Sequence, residues 1–404
     1  MRILVATFHR NVIGGTEKYL QALLPRLIAL SHEVGLVYEK PLHANRECID
    51  IPEAPIERWC FEELGLSKTI SLISQWRPDV VYSQGLESGE LESALLDDFP
   101  VVLFAHGYYG TCGTGSKSHA FPQYRPCERR FGPACLLLHY PRHCGALRPA
   151  EAWRVLARQF QRHRRFSDYK AIVVGSTHMY REFQRNGATT DQLRLAPLPC
   201  ADGVTATDPP GPRTPQGNIL LMGRLTPAKG GHYLLPAISS ASAELGKPLH
   251  LTIAGDGPER PHLTDLARKL GIAVEFVGWI DSQRKAQLLQ TTDLLAMPSL
   301  WPEPFGLVGI EAGRLGIPAV GYAVGGIPDW LIPGETGELA PGDPPSVQGL
   351  SEAIVRAISD SHHYATLRLG AWSLSRRFTM DAHLAQLERV LGVDKSSLLM
   401  TADL

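Results

Sequence analysis

Short runs of Val, Ile and Leu recur along this chain, and each is followed by an amphipathic segment leading to the next run. In the first half RILVAT, EVGLVY, DVVYS, VVLFAHG and AIVVGS read as strands, and TEKYLQALLPRLIAL and EAWRVLARQFQRHRR as helices among them. Strands that are apolar along their whole length are buried on both faces, which requires helices on either side of a parallel sheet. The stretch 201–217, ADGVTATDPPGPRTPQG, lacks periodicity and is rich in Pro, Gly and Thr, so it marks a domain boundary. Beyond it the alternation restarts with NILLMG, LHLTIAG, AVEFVG, DLLAMPS and IPAVGY, and residues 346–392 read as wholly helical. The expected fold class is α/β: two Rossmann-like, doubly wound domains facing a central cleft, with a helical tail. Ligands of such sheets sit at the carboxyl ends of the strands, where the polar motifs of this chain fall.

A length of 404 residues is too great for one ordinary domain, and 44% hydrophobic residues support large cores. The net charge of −1 gives no global field for nucleic acid or anionic lipid, so local patches must carry any such preference. The opening MRILVATFHRN has one basic residue ahead of a short apolar run, which reads as a first strand and not as a signal peptide. No run approaches the ~18 apolar residues of a spanning helix. A cytoplasmic protein is expected, with peripheral contact at the inner membrane face left open.

Three segments of the second half carry candidate chemistry. LLMGRLTPAKGG (220–231) puts Arg224 and Lys229 at a strand exit beside a helix start, an arrangement that can hold a diphosphate or simply form a solvated basic loop. IAGDGPE (253–259) has a GxG turn without the third glycine of a dinucleotide fingerprint, and Asp256 could equally cap the following helix. WPEPFGLVGIEAGRLGIPAVGY (301–322) has Glu303 in a loop before a helix expected to start near Phe305 or Gly306. Eight residues on, Glu311 falls within an arc shared by Leu307, Val308 and Leu315 at about 100° per residue. A carboxylate among apolar neighbours needs a partner. Sugar-like hydroxyls would serve, as would a buried salt bridge to an arginine such as Arg224. Glu303 is either part of a site or an acid near a helix start.

These pieces, with GGTEKYL after the first strand, HG at 106–107 and GGIPDWLIPGETGEL, resemble the retaining glycosyltransferases of the GT-B fold, family 4, in order and over nearly the whole chain. The resemblance implies transfer of a sugar from a nucleoside-diphosphate-sugar donor to a saccharide, lipid-linked or small-molecule acceptor. It implies retention of anomeric configuration, with no metal or other cofactor required for catalysis and no nucleic acid partner. It divides the chain into an acceptor domain (1–205), a nucleotide-sugar donor domain (206–375) and a C-terminal segment (376–404) crossing back onto the first domain. Glu303 and Glu311 resemble the family's E-x7-E pair, Glu303 for the transferred sugar and Glu311 for the ribose. Arg224 and Lys229 would neutralise the diphosphate, and His106 would lie near the donor sugar. Donor contacts are further implied for Gly14, Gly15, Gly223, Gly255, Phe305, Gly306 and Leu307, with the helix start in FGLVGIE meeting the phosphates. His106 has a plainer reading as an imidazole bonding a backbone carbonyl. The Gly14–Gly15 pair could simply be a turn opening a helix capped by Thr16. The rivals are a non-catalytic nucleotide-sugar binder, which retention of both glutamates, Arg224 and Lys229 argues against, and a nucleotide-sugar epimerase or phosphorylase on the same architecture, which should lack E-x7-E. A Rossmann oxidoreductase founders on the missing GxGxxG.

The segment 107–148 is long for a connection after a strand. It holds four of the chain's seven cysteines, Cys112, Cys127, Cys135 and Cys144, which can be read as one tetrahedral zinc site or as separate reduced thiols, since no CxxC spacing is present. Its basic residues, Arg125, Arg129, Arg130, Arg142 and His143, are candidates for an acidic or lipid-phosphate acceptor, for an anionic bilayer, or for a solvated face.

Overall fold

The computed structural model describes residues 1–42, 47–50, 54, 56–200 and 208–392. Its first half supplies strands β1 (Arg2–Thr7), β2 (Glu33–Tyr38), β3 (Glu57–Cys60), β4 (Val80–Ser83), β5 (Val101–Ala105), β6 (Ser118–His119), β7 (Arg125–Pro126), β8 (Ala171–Val174) and β9 (Leu193–Leu195). Seven of these form one parallel sheet in the order β3-β2-β1-β4-β5-β8-β9, and β6 and β7 pair as a separate antiparallel hairpin. The second half supplies β10 (Asn218–Met222), β11 (His250–Ala254), β12 (Val274–Gly278), β13 (Leu294–Met297), β14 (Ala319–Tyr322) and β15 (Gly337–Ala340). These form a second parallel sheet, β12-β11-β10-β13-β14-β15. The fold is GT-B. In each sheet the order reverses beside the first strand, between β1 and β4 and again between β10 and β13. Connections leave the two sides of that point in opposite directions, which opens a crevice at the carboxyl ends.

The central strands are buried end to end: Ile3 to Ala6, Val101 to Phe104 and Leu294 to Ala296 are all 3% exposed or less. Continuous burial of this kind made them readable from sequence. The unexpected β3, β9 and β15 lie at sheet edges and have three or four residues each.

The expected helical region from 346 onward resolves into helices Val347–Ile358, Ser361–Ser375 and Met380–Leu391. The last crosses to the first sheet. Met380, Leu384, Leu387 and Leu391 recur on one helical face and join the core built on Ile3, Val5, Leu20 and Leu36. At ~1.5–3 kcal/mol for each fully buried side chain of this size, that stripe holds the helix in place. Thr379 caps its start by accepting from Ala382 N at 3.1 Å. Chain passing toward the second lobe and chain returning from it lie side by side. Cys200 N donates to Phe378 O at 3.0 Å, and His383 Nδ1 lies 3.0 Å from Pro197 O. The boundary expected at 205/206 and the tail beyond 392 lie outside the described residues. Among those residues no helix is long and apolar enough to cross a membrane.

Candidate active site

A cavity of about 290 Å³ lies between the lobes, lined from the first by Gly15, Thr16 and His106 and from the second by Lys229, Trp301, Glu303 and Phe305 to Val308. Glu303 is 5% exposed. Its Oε1 accepts from Ser299 Oγ at 2.6 Å, from Trp301 Nε1 at 3.0 Å and from Lys229 Nζ. Lys229 also stands 5.7 Å from the centre of the Trp301 ring. The loop carrying the glutamate is pinned from behind. Gly326 N donates to Glu303 O at 2.7 Å, and Gly325 has a φ of +57°, with the site of a Cβ only 2.3 Å from that oxygen. Only glycine fits there. Three donors on one oxygen hold the carboxylate, and charge-assisted bonds of this kind are short and directional.

Glu311 has a different partner from the arginine considered above. Helix Leu307–Gly313 begins one or two residues later than expected and buries Gly309, Ile310, Ala312 and Gly313. Leu307, Val308, Glu311 and Leu315 are only partly buried, so the arc seen in sequence is the half-covered face. There Glu311 Oε1 pairs with Lys285 Nζ at 2.9 Å, from helix Ser282–Thr291. Arg224 is exposed and has no side-chain partner among the described residues. Neither Arg224, Glu311, Gly14, Gly223 nor Gly255 lines the 290 Å³ cavity. Gly255 (φ +145°) has a packing reason to be glycine, because its Cβ would stand 1.9 Å from Gly223 O. Asp256 does not cap the next helix. Its carboxylate accepts from Gly257 N at 2.7 Å and Arg260 Nη1 at 2.9 Å and is held below its ordinary pKa by those bonds.

On the first lobe, helix Gly15–Ala29 is capped by Gly14, with Glu17 Oε2 accepting from Gly14 N at 2.8 Å; Thr16 is inside the helix and is not the cap. A Cβ on Gly15 would meet no protein atom within 4 Å, so this glycine keeps cavity space clear. His106 follows β5 and has Nε2 2.8 Å from Gln84 Oε1, a side-chain partner in place of the backbone carbonyl considered above. Burial beside Phe104 and Tyr19, with a smaller effect of His383, pushes its imidazole down to about 3, so the ring is neutral near pH 7. A second cavity of about 480 Å³ opens next to it, lined by Glu17, Gln84, Glu87, Tyr109, Arg158 and Gln159 among others. Thr16, His106 and Trp301 line both cavities. Gln84 is 6% exposed, and its Nε2 has no partner within hydrogen-bond distance among the described residues. A buried donor left open at a cavity wall is suited to a ligand oxygen. Sequence reading missed Gln84 and Lys285, since neither sits in a recognisable motif.

The lobes touch directly beyond the cavities. Asp329 Oδ2 accepts from Thr177 N at 2.7 Å and Oδ1 from Thr177 Oγ1, at the start of helix Thr177–Arg185.

Of the two readings of the four cysteines, the zinc site is not formed among the described residues. Cys112, Cys127, Cys135 and Cys144 are free thiols, and the described residues contain no group of three or more His, Cys, Asp or Glu placed to hold a metal. The sulfurs turn to local partners: Cys112 Sγ lies 3.5 Å from Thr114 Oγ1, and Cys144 Sγ donates to Leu138 O at 3.8 Å. Burial, and then the neighbouring thiols, push Cys144 up to about 12, which keeps it protonated. The insertion is ordered by a cation instead. Lys117, 1% exposed, pairs with Glu182 at 2.8 Å and donates to Thr111 O and Arg129 O.

Residues 207–371 match the family model described as glycosyl transferases group 1. The chain is 38% identical to a glycogen synthase of Mycobacterium tuberculosis over 173 residues, 42% of this chain and 40% of the relative. It is 35% identical to a D-inositol 3-phosphate glycosyltransferase 2 of Catenulispora acidiphila over 189 residues, 42% of this chain and 43% of the relative. The chain thus spans about two-fifths of the length of the curated relatives it matches. Its fold matches Anabaena HepE solved with UDP (TM-score 0.66, 18% identity, 97% of this chain and 99% of that one). It also matches sucrose-phosphate synthase of Thermosynechococcus elongatus (TM-score 0.67, 21% identity, 99% and 100%). The family match thus falls on the second lobe, residues 207–371, in a chain whose fold is GT-B.

Proposed function

We propose that this protein is a retaining, metal-independent glycosyltransferase that moves a sugar from a nucleoside-diphosphate sugar to an acceptor. The observation that carries the reading is the pair of joined cavities: one holds Lys229 and Glu303, the other hydrogen-bonding side chains of the first lobe, and Thr16, His106 and Trp301 line both. HepE, of similar fold, has been solved with UDP and with UDP-glucose, which supports a nucleotide-sugar donor here. The division into 1–205, 206–375 and 376–404 belongs to the same proposal, with donor and acceptor meeting where the lobes close.

Breaking the anomeric C–O bond loads negative charge onto the departing diphosphate and oxocarbenium-like charge onto the sugar. Lys229 and the unpartnered Arg224 meet the first with positive charge already in place, worth several kcal/mol when preorganised. No metal is needed for that task. Glu303, freed from Lys229 when the diphosphate arrives, accepts from the sugar's hydroxyls. Glu311 exchanges Lys285 for the ribose. His106, neutral, hydrogen-bonds the donor sugar and does not act as a cationic acid. The leaving phosphate takes the acceptor's proton, which keeps the incoming oxygen on the departing face. Gln84 offers its amide to an acceptor hydroxyl, and the exposed Tyr109 ring offers an apolar face to a sugar. A panel of nucleotide sugars, with sugar and lipid-linked acceptors, scored for nucleotide release and product anomer tests this directly, with and without chelator. Release from no donor, or an inverted product, refutes it.

A further inference from the structure

The insertion carries a surface that lies outside both cavities of the candidate site. Residues 107–148 contain six Lys and Arg against the single acid Glu128, in a chain whose net charge is −1. Lys117 is taken up by Glu182, and Arg125 lies 3.6 Å from Asp343. The guanidinium groups of Arg129, Arg130 and Arg142 have no partner among the described residues. Arg129 and Arg142 line, with His119, Arg125 and the acids Glu128 and Asp343, an open hollow of about 510 Å³ that is separate from both cavities of the candidate site.

Beside this hollow stand apolar side chains that the fold does not cover: Phe121 is 53% exposed, Leu136 39%, Leu137 80% and Tyr140 45%. The backbone keeps the two sets together. Phe121 N donates to Arg142 O at 3.1 Å, Arg142 N to Leu138 O at 3.0 Å, and the Phe121 and His143 rings are 5.5 Å apart. A single exposed leucine is ordinary, whereas four apolar residues within 20 positions, flanking unpaired arginines, mark an interaction surface. An acidic soluble partner would match the charges and leave the leucines wet. A bilayer with anionic headgroups matches both, with phosphates for the arginines and the headgroup–acyl boundary for the side chains.

We propose that this face of the insertion docks the protein on an anionic lipid bilayer, with Arg129 and Arg142 against lipid phosphates and Leu136, Leu137 and Tyr140 entering the boundary region. The proposal concerns location and does not rest on sugar transfer.

Co-sedimentation with phosphatidylcholine vesicles, with and without phosphatidylglycerol, tests it on the full chain. Binding is expected only with phosphatidylglycerol and should fall as salt rises, because the contacts are at the surface. Arg129→Ala with Arg142→Ala should weaken partitioning about 30-fold, the equivalent of two surface charges. Leu137→Ser should weaken it about 10-fold. Both variants should melt at the wild-type temperature, since the side chains removed have no partner to lose. No binding to phosphatidylglycerol vesicles, or binding that ignores salt and both variants, overturns the proposal. Lipid-free self-association lost in Leu137→Ser also overturns it, by assigning the face to a second copy.

Discussion

Replacing Lys229 with alanine separates what this side chain does for the fold from what it does for chemistry. Lys229 and Glu303 have side chains 30% and 7% exposed, and the ammonium is one of three donors to Oε1. A hydrogen bond to a charged group is worth ~1.5–3 kcal/mol. Ser299 and Trp301 remain to hold the carboxylate and the lysine is partly solvated, which lowers the expected loss to ~1–2 kcal/mol. Turnover should suffer more, falling by on the order of 10²-fold or beyond, as losing a preorganised charge contact does. Glu303→Gln removes the other half of the pair. In the double variant the two stability losses should fall short of their sum by ~1 kcal/mol or more, as for groups in direct contact. Urea unfolding of the four proteins measures the coupling, and nucleotide release at saturating donor measures turnover. Unchanged turnover in Lys229→Ala would refute the assignment of this residue to the diphosphate, and strict additivity would refute the ion pair.

Four further outcomes are expected. Burial pushes His383 down to about 4, so above its unfolded pKa of ~6.5 the neutral ring costs nothing, and stability falls as pH drops toward 4. The contribution is ~3 kcal/mol by linkage, and His383→Gln should flatten that acid limb in pH-dependent urea unfolding. Glu39 acts in the opposite sense. Burial raises it to about 7, so its contribution is present below ~4.5 and is lost as pH rises through 7, and Glu39→Gln should remove that loss. Glu311→Gln should raise the KM for donor about 10-fold with a smaller change in kcat, because the ribose contact is made equally in the ground and transition states; a pure kcat effect argues against the ribose role. Asp329→Ala should remove the two bonds to Thr177 and widen the cleft, seen as a larger radius of gyration by small-angle scattering; an unchanged radius means that the lobes are held elsewhere.

The central strands of both sheets were legible because burial on two faces writes itself as unbroken Val, Ile and Leu. Edge strands such as β9 carry Leu193 inward and leave Arg194 and Leu195 exposed, which over three residues gives no period to read. Glu303 and Lys229 could be singled out because each sits at a strand exit. Their mutual contact, and the bonds from Ser299 and Trp301, depend on how the loop turns back at Gly325 and were not legible. Glu311 was expected to need a partner, and it has one. That the partner is Lys285 follows from the placement of helix Ser282–Thr291, which a helical wheel cannot supply. The cysteine count of the insertion left zinc and separate thiols both open, whereas burial of Lys117 against Glu182 orders that loop, and no spacing rule announces a buried lysine.

Two adjacent spans of polypeptide, bonded between Cys200 and Phe378, carry the chain from one lobe to the other and back. A single tether would let the halves swivel and slide. A paired one resists that sliding, because each span is held against the other. Bonds from Cys200 N to Phe378 O and between His383 and Pro197 O tie the two crossings to each other, so the way Trp301 faces His106 is set at the crossing as much as by the cavity walls.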